Sequence, residues 1–210
     1  MSDPRRHAPA TLRNRDALLP VLQAHLPASG RRGGQVLEIA SGTGEHAAFF
    51  APRLAPELRW RPSDAEPEAL ASIDAHAAAS EAPEKIAPAI ALDVTADAWP
   101  AEATEGTTAI FCANMIHIAP WAAAEGLLRG AGRLLPAGAP LLLYGPFKRD
   151  GRHTAESNEA FDESLRARDP SWGVRDLESE VLPLADARGL TLKAIEAMPA
   201  NNLTVIFRKG

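Results

Sequence analysis

The sequence predicts an α/β fold: a mostly parallel, seven-stranded sheet with an antiparallel last strand and helices on both faces. Three observations lead there. Short apolar or β-branched runs alternate with helical patterns along most of the 210 residues. Several of those runs end on a glycine, aspartate or asparagine, residues that let a strand turn out of the sheet. The last two runs are joined only by Pro199-Ala200-Asn201-Asn202, too short for a parallel crossover and long enough for an antiparallel pair.

Each element has its own signal. Residues 1–10, with Pro4 and Pro9, read as a flexible arm. From Thr11 to Leu26 the residues Leu12, Ala17, Leu18, Val21, Leu22 and Leu26 fall at helical spacing, with Pro20 marking a kink or a late start. Pro27 to Gly34 reads as a linker. Strands are expected at Gln35–Ala40, Leu58–Pro62, Ile86–Leu92, Thr107–Ala113, Gly138–Tyr144, Leu190–Ala197 and Leu203–Arg208. Helices are expected at Glu45–Leu54, Glu66–Ser80, Trp121–Leu135 and Leu177–Arg188, the last stopped by Gly189. Residues 147–175 form a long excursion with its own helix from Ala155 to Ala167, placed to serve as a lid.

Composition narrows the function classes. Hydrophobic residues make up 46% and charged residues 23%, as in a single globular domain covering 1–210. Acidic residues outnumber basic ones by 27 to 22 and no basic stripe shows, so no nucleic-acid partner is expected. No apolar run reaches the roughly 18 residues of a membrane span. Met1 to Asp16 lacks a secretory signal's apolar core, so a cytoplasmic protein is expected. Cys112 is the single cysteine, which excludes an intrachain disulfide and suits a buried thiol. The histidines His7, His25, His46, His76, His117 and His153 show no paired ligand spacing, so no metal site is expected.

In open α/β sheets ligands bind beyond the carboxyl ends of the strands. Those ends carry Glu38 to Gly44, Asp64, Asp93, Asn114 and Gly145. Gly42-Thr43-Gly44-Glu45-His46-Ala47 fits G-x-G-x-x-A, and Asp64 follows Gly42 by 22 residues, where a ribose-binding carboxylate belongs. A nicotinamide dinucleotide is one reading. Glu38 inside the first strand, Asp93 ending the third and the antiparallel final pair favour another nucleoside.

Together these features resemble the class I S-adenosylmethionine-dependent methyltransferases and their E/D-x-G-x-G motif, from which the chain departs at Ala40 and His46. The resemblance implies a Rossmann-like fold and S-adenosylmethionine as cofactor, S-adenosylhomocysteine being the product. It assigns Glu38 to orienting the loop and the methionine amine, Asp64 to the ribose hydroxyls and Asp93 to the adenine amino group. Ala40, Ser41, Gly42, Thr43, Gly44 and Asn114 complete the cofactor set. Longer strings narrow the likeness: Asn114-Met115-Ile116-His117-Ile118, Tyr144-Gly145-Pro146-Phe147, Ser157 to Asp162, Arg168 to Gly173 and Met198 to Asn202. On these the chain is similar to the domain-of-unknown-function 938 family, relatives of methyltransferase-like protein 26, for which no substrate follows.

For an unidentified, small and polar acceptor, the candidate contacts are Arg13, Asn14, Trp121, Tyr144, Asn158, Arg166, Arg168 and Trp172, with Arg15 and Arg175 extending the walls. Asn158, Asp162 and Arg166 share a helix face at i, i+4, i+8, which suits either a solvated ion pair or a lid face. His117 and Asp162 are the candidate bases if the acceptor must lose a proton. Two other readings stand beside methyl transfer. One is a nicotinamide-dependent oxidoreductase, for which no hydride-transfer constellation is evident; the other is a non-catalytic nucleoside binder.

Overall fold

The computed structural model describes residues 3–26 and 34–210; most of the expected linker lies outside them. The chain divides into two compact units, Met1–Asp93 with Ala98–Cys112, and Val94–Asp97 with Ala113–Gly210. In order the elements are α1 (Pro9–His25), β1 (Gln35–Ile39), α2 (Glu45–Phe50), β2 (Arg59–Asp64), α3 (Pro67–Ala78), β3 (Ile90–Ala91), α4 (Ala101–Thr104) and β4 (Thr107–Ala113). Then come α5 (Trp121–Leu134), β5 (Pro140–Gly145), β6 (Lys148–Arg149), β7 (Arg152–His153), α6 (Glu156–Arg168), α7 (Leu182–Asp186), β8 (Leu190–Met198) and β9 (Asn202–Lys209).

A seven-stranded sheet has the order β3-β2-β1-β4-β5-β9-β8. β1 pairs in parallel with β2 and β4, and β2 with β3. β9 runs antiparallel to both β5 and β8, so those two share a direction. The expected fold class is therefore the observed one.

In the first unit, Val36, Leu37 and Ile39 of β1 and Ala109 to Cys112 of β4 are buried, as in strands covered on both faces. Phe50, Trp60 and Phe111 fill the space beside them with ring centroids 5.7–6.0 Å apart. Leu18 and Leu22 of α1 complete this core. The core of the second unit is made by Leu127 of α5, Leu141 and Leu142 of β5, Phe147, Leu165, and Val205 to Phe207 of β9.

The departures from the expected elements have local causes. α1 begins at Pro9, inside the expected arm, because a proline at the first helical turn gives up an N–H that had no partner there. β3 keeps only Ile90 and Ala91 of the expected run. Ile86 makes an isolated bridge to Trp60, but the next facing residue of β2 is Pro62, without an N–H, and the Ala89 N–H donates to Asp74 Oδ1 instead, so the ladder breaks before β3. The helix expected over Leu177–Arg188 opens as a π-helical turn, Leu177–Val181. Pro183 has no N–H for the carbonyl of Ser179, and the bonds shift to i→i−5, with the Val181 N–H reaching the Asp176 carbonyl. The hairpin β6–β7 was not foreseen, since two-residue strands leave no periodicity. In β8 the register to β9 slips between Leu192 and Ala194, leaving Lys193 as an extra residue.

Pro20 lies exposed inside the 17-residue helix α1, where it removes one hydrogen bond and crowds the preceding turn. Pro20→Ala is expected to stabilise the protein by about 1–2 kcal/mol, the relief being partly offset by a freer unfolded chain. Chemical denaturation of the two proteins measures the difference.

Candidate functional site

The first unit builds its site where β1 ends. The chain reverses through Ala40, Gly42 and Gly44, all left-handed, with φ of 54°, 59° and 90°. Gly44 has no alternative, since a Cβ there would lie 2.5 Å from Ile73 Cα of α3. At Gly42 the space beyond the backbone is open. Ala40 adopts the glycine-like conformation although it carries a side chain.

This turn is tied to the end of β2. The Ser41 N–H donates to the Ser63 carbonyl at 2.8 Å, and the Ser63 N–H to Ser41 Oγ at 3.1 Å. The Gly42 N–H donates to Asp64 Oδ2 at 2.8 Å, while the Glu66 N–H donates to Oδ1 at 3.0 Å. Two backbone donors thus hold the Asp64 carboxylate beside the open face of Gly42. A third tie is Ser72 Oγ, which donates to the Thr43 carbonyl at 2.8 Å.

Beneath the turn lies a buried polar chain. Trp60 Nε1–H donates to Glu38 Oε2 at 2.8 Å. Glu38 Oε1 lies 3.7 Å from His46 Nδ1, and His46 Nε2–H donates to Asn14 Oδ1 at 2.8 Å. Burial pushes the Glu38 carboxyl up to about 7 against the pull of the Trp60 and Ser41 hydrogen bonds. Burial likewise pushes His46 down to about 4, with Arg15 acting the same way and Glu45 opposing it. The two form a neutral contact, not an ion pair, over the pH range between those values. Asn14, expected on an acceptor wall, sits inside with 5% of its surface exposed.

The amino-terminal arm is pinned to the same unit. Its Arg6 N–H donates to Ser72 Oγ at 2.8 Å and its Ala8 N–H to Glu45 Oε2 at 2.8 Å. His7 Nδ1 lies 3.0 Å from Glu45 Oε1. Burial raises the Glu45 carboxyl, but these contacts and Thr43 Oγ1 outweigh it and hold it below its ordinary value. Residues 6–8, part of the stretch expected to be a flexible arm, thus make contacts with α2 and α3. His7, Glu45 and His76 also gather into one cluster with donor atoms within 4.8 Å of one another. Their wide separation in sequence hid it from any spacing rule.

The second unit organises different candidates. Asp162 of α6 is buried, and its Oδ1 accepts from the Val174 N–H at 2.7 Å and Arg166 Nε at 3.1 Å. Lys148 Nζ at 2.9 Å and His153 Nε2 at 3.3 Å face Oδ2. Burial raises this carboxyl, yet Lys148, the Val174 N–H and Arg166 outweigh it and lower it overall. Lys148 and His153, both missed in sequence, come from the unforeseen hairpin.

His117 is wholly buried, edge-on to Phe147 with centroids 4.8 Å apart. Its Nδ1 accepts from the Arg175 N–H at 3.3 Å. Burial, reinforced by the Arg175 charge, pushes it down to about 3. For the bases expected at His117 and Asp162, burial makes the imidazole a weaker base than a free histidine, and the Asp162 oxygens already accept from Val174, Arg166 and Lys148. Asn158 Nδ2 donates to Thr154 Oγ1 and to the Asn201 carbonyl at 3.0 and 2.9 Å. The guanidinium of Arg168 lies over Trp172, and that of Arg175 over Trp121, each 5.5 Å from the ring centre. Asn114, left-handed, donates its N–H to the Tyr144 carbonyl at 2.7 Å.

A family model described as "Protein of unknown function (DUF938)" matches residues 5–209. Among solved structures, the chain is similar to an O-methyltransferase family 2 protein from Planctomyces limnophilus, in complex with apigenin. The TM-score is 0.79 at 18% identity, over 94% of this chain and 57% of that one. SibL, an S-adenosylmethionine-dependent methyltransferase in its apo form, gives 0.69 at 22% identity over 92% and 55%. PigF with SAH gives 0.70 at 18% identity over 91% and 54%. The chain thus spans little more than half the length of these proteins, and shares their fold. Among the described residues no helix is long and apolar enough to cross a membrane.

Two predictions follow from the first unit. Between pH 4.5 and 7 the folded state holds a proton on Glu38 that the unfolded chain has lost, so this group makes stability fall as pH rises. Between pH 4 and 6.5 the unfolded chain holds the extra proton on histidine, so His46 makes stability rise. The slopes, each at most ~1.4 kcal/mol per pH unit, cancel where they overlap. Measured by urea denaturation, Glu38→Gln is expected to gain stability relative to wild type as pH rises, and His46→Gln to lose it. Ala40→Gly is expected to stabilise by about 0.5–1 kcal/mol, the left-handed strain relieved less the added entropy of the unfolded chain.

Proposed function

The chain belongs to the DUF938 family, and on that premise we propose that it is an S-adenosylmethionine-dependent methyltransferase acting on a small polar acceptor. The kinship with methyltransferase-like protein 26 is part of this proposal, as is the wider methyltransferase relationship suggested by proteins of the same fold. The observation that carries it is the carboxylate of Asp64, fixed by the Gly42 and Glu66 N–H groups beside a left-handed turn whose outer face is open.

That arrangement fits the cofactor. Asp64 keeps lone pairs for the two ribose hydroxyls, Gly42 lets a ligand approach the backbone, and Asp93 is assigned to the adenine amino group. Glu38 supports the turn from below. Its place under Trp60 and beside His46 makes it a positioning residue in this reading. When bound, S-adenosylmethionine supplies a methyl group activated on a sulfonium sulfur for transfer to a nucleophilic lone pair. In this reading the acceptor brings its own lone pair near neutral pH, since burial weakens His117 as a base and Asp162 already accepts from several donors. The protein's part is to align and desolvate it.

Calorimetry with S-adenosylmethionine and S-adenosylhomocysteine, with NAD and NADP as controls, tests the proposal. Binding of the sulfur nucleosides alone is expected. Asp64→Ala, checked for folding by circular dichroism, is expected to lose roughly 1–3 kcal/mol of affinity, about five- to 150-fold. Binding of NAD instead, or an unchanged affinity in the folded variant, contradicts it.

A further inference from the structure

We propose that His7, Glu45 and His76 form a binding site for a divalent metal ion of the zinc type, clamping the amino-terminal arm to α2 and α3. This rests on the first unit alone and is independent of the methyl-transfer reading.

The donor set is the first argument. Two imidazoles and one carboxylate carry a single negative charge, a combination that binds Zn2+ when one coordination position is left to water or another ligand. Convergence is the second. The three donors come from the arm, the start of α2 and the body of α3, and all lie within 4.8 Å of one another. Tetrahedral coordination with bonds of ~2.0–2.2 Å sets the donors about 3.4 Å apart. At most about 1.4 Å of movement closes the set, and His7, whose side chain is 68% exposed, has the freedom to supply it.

Support around the donors is the third argument. His76 Nε2–H is held by the Arg6 carbonyl at 2.9 Å, which fixes the ring and its tautomer. Glu45 is held by the Ala8 N–H at 2.8 Å and by Thr43 Oγ1 at 3.0 Å. Metal-binding side chains are characteristically steadied by such outer hydrogen bonds. Room is the fourth. All three residues line a cavity of about 510 Å³, which leaves space for a water or other exogenous ligand. The arginines sharing its wall are engaged elsewhere: Arg53 pairs with Glu81, Arg5 with Asp3, and Arg15 lies over Phe49.

The test uses the full chain, stripped with a chelator and dialysed, then titrated with Zn2+ by calorimetry and with Co2+ by visible absorption. One ion per chain is expected, with a rise in melting temperature on Zn2+ addition and the intense visible bands of four-coordinate Co2+. His7→Ala, at an exposed position, should fold normally, weaken binding by at least about tenfold and abolish those bands, while His7→Cys restores both. Failure of the wild-type chain to take up a stoichiometric ion, or wild-type affinity in His7→Ala, overturns the proposal.

Discussion

The hydrogen bond from the Gly42 N–H to the Asp64 carboxylate is the constraint on which the first unit's site depends. It joins the end of one parallel strand to the end of its neighbour and pins the left-handed turn at its middle glycine. The paired Ser41–Ser63 bonds hold the same two strand ends from the other side. With the turn so fixed, Gly44 can pass within contact of α3 and α2 starts in a defined direction. The Glu45 side chain then stands where the arm can reach it. Pinning of the arm is thus a downstream result of how β1 and β2 end.

A second constraint lies underneath. Placing a carboxyl, an imidazole and an amide in one interior demands that each find a partner, because an unmet polar group there costs a few kcal/mol. Glu38, His46 and Asn14 meet the demand as a chain, with the Trp60 indole closing one end. Proton placement follows from the same logic: with both ionisable groups pushed toward their neutral forms, the interior carries little net charge. The stacked His46–Phe50 pair shows that the imidazole also serves as an apolar plate.

Much of the fold was legible in the sequence for physical reasons that can be named. Buried parallel strands such as Thr107–Ala113 are continuous apolar runs, and their ends are marked by residues that turn the chain. Gly42, Gly44 and Asp64 were legible because tight turns and strand-end carboxylates leave a spacing signature. What escaped detection depends on contacts between distant residues. Trp60 gives no sign in sequence that it will meet Glu38, nor Asn14 that it will face inward to His46. Lys148 and His153 reach Asp162 through a hairpin too short to leave a pattern. Prolines mislead in both directions: Pro9 starts a helix although it looks like a breaker, while Pro62 and Pro183 disturb a ladder and a helix that the apolar pattern presents as regular.

The broken ladder before β3 and the extra residue at Lys193 bear on how copies of this chain meet one another. A sheet's outermost strands offer unpaired backbone groups to any other extended chain, and addition there is a common route to aggregation. On one edge stands β3, two residues long, with a proline just before it. On the other, β8 carries a bulge whose additional residue is an exposed lysine. An incoming strand would find too few consecutive donors and acceptors on the first edge and a bent, charged ladder on the second. Irregularities that look like defects in the regular pattern therefore protect the sheet from growing beyond its own seven strands.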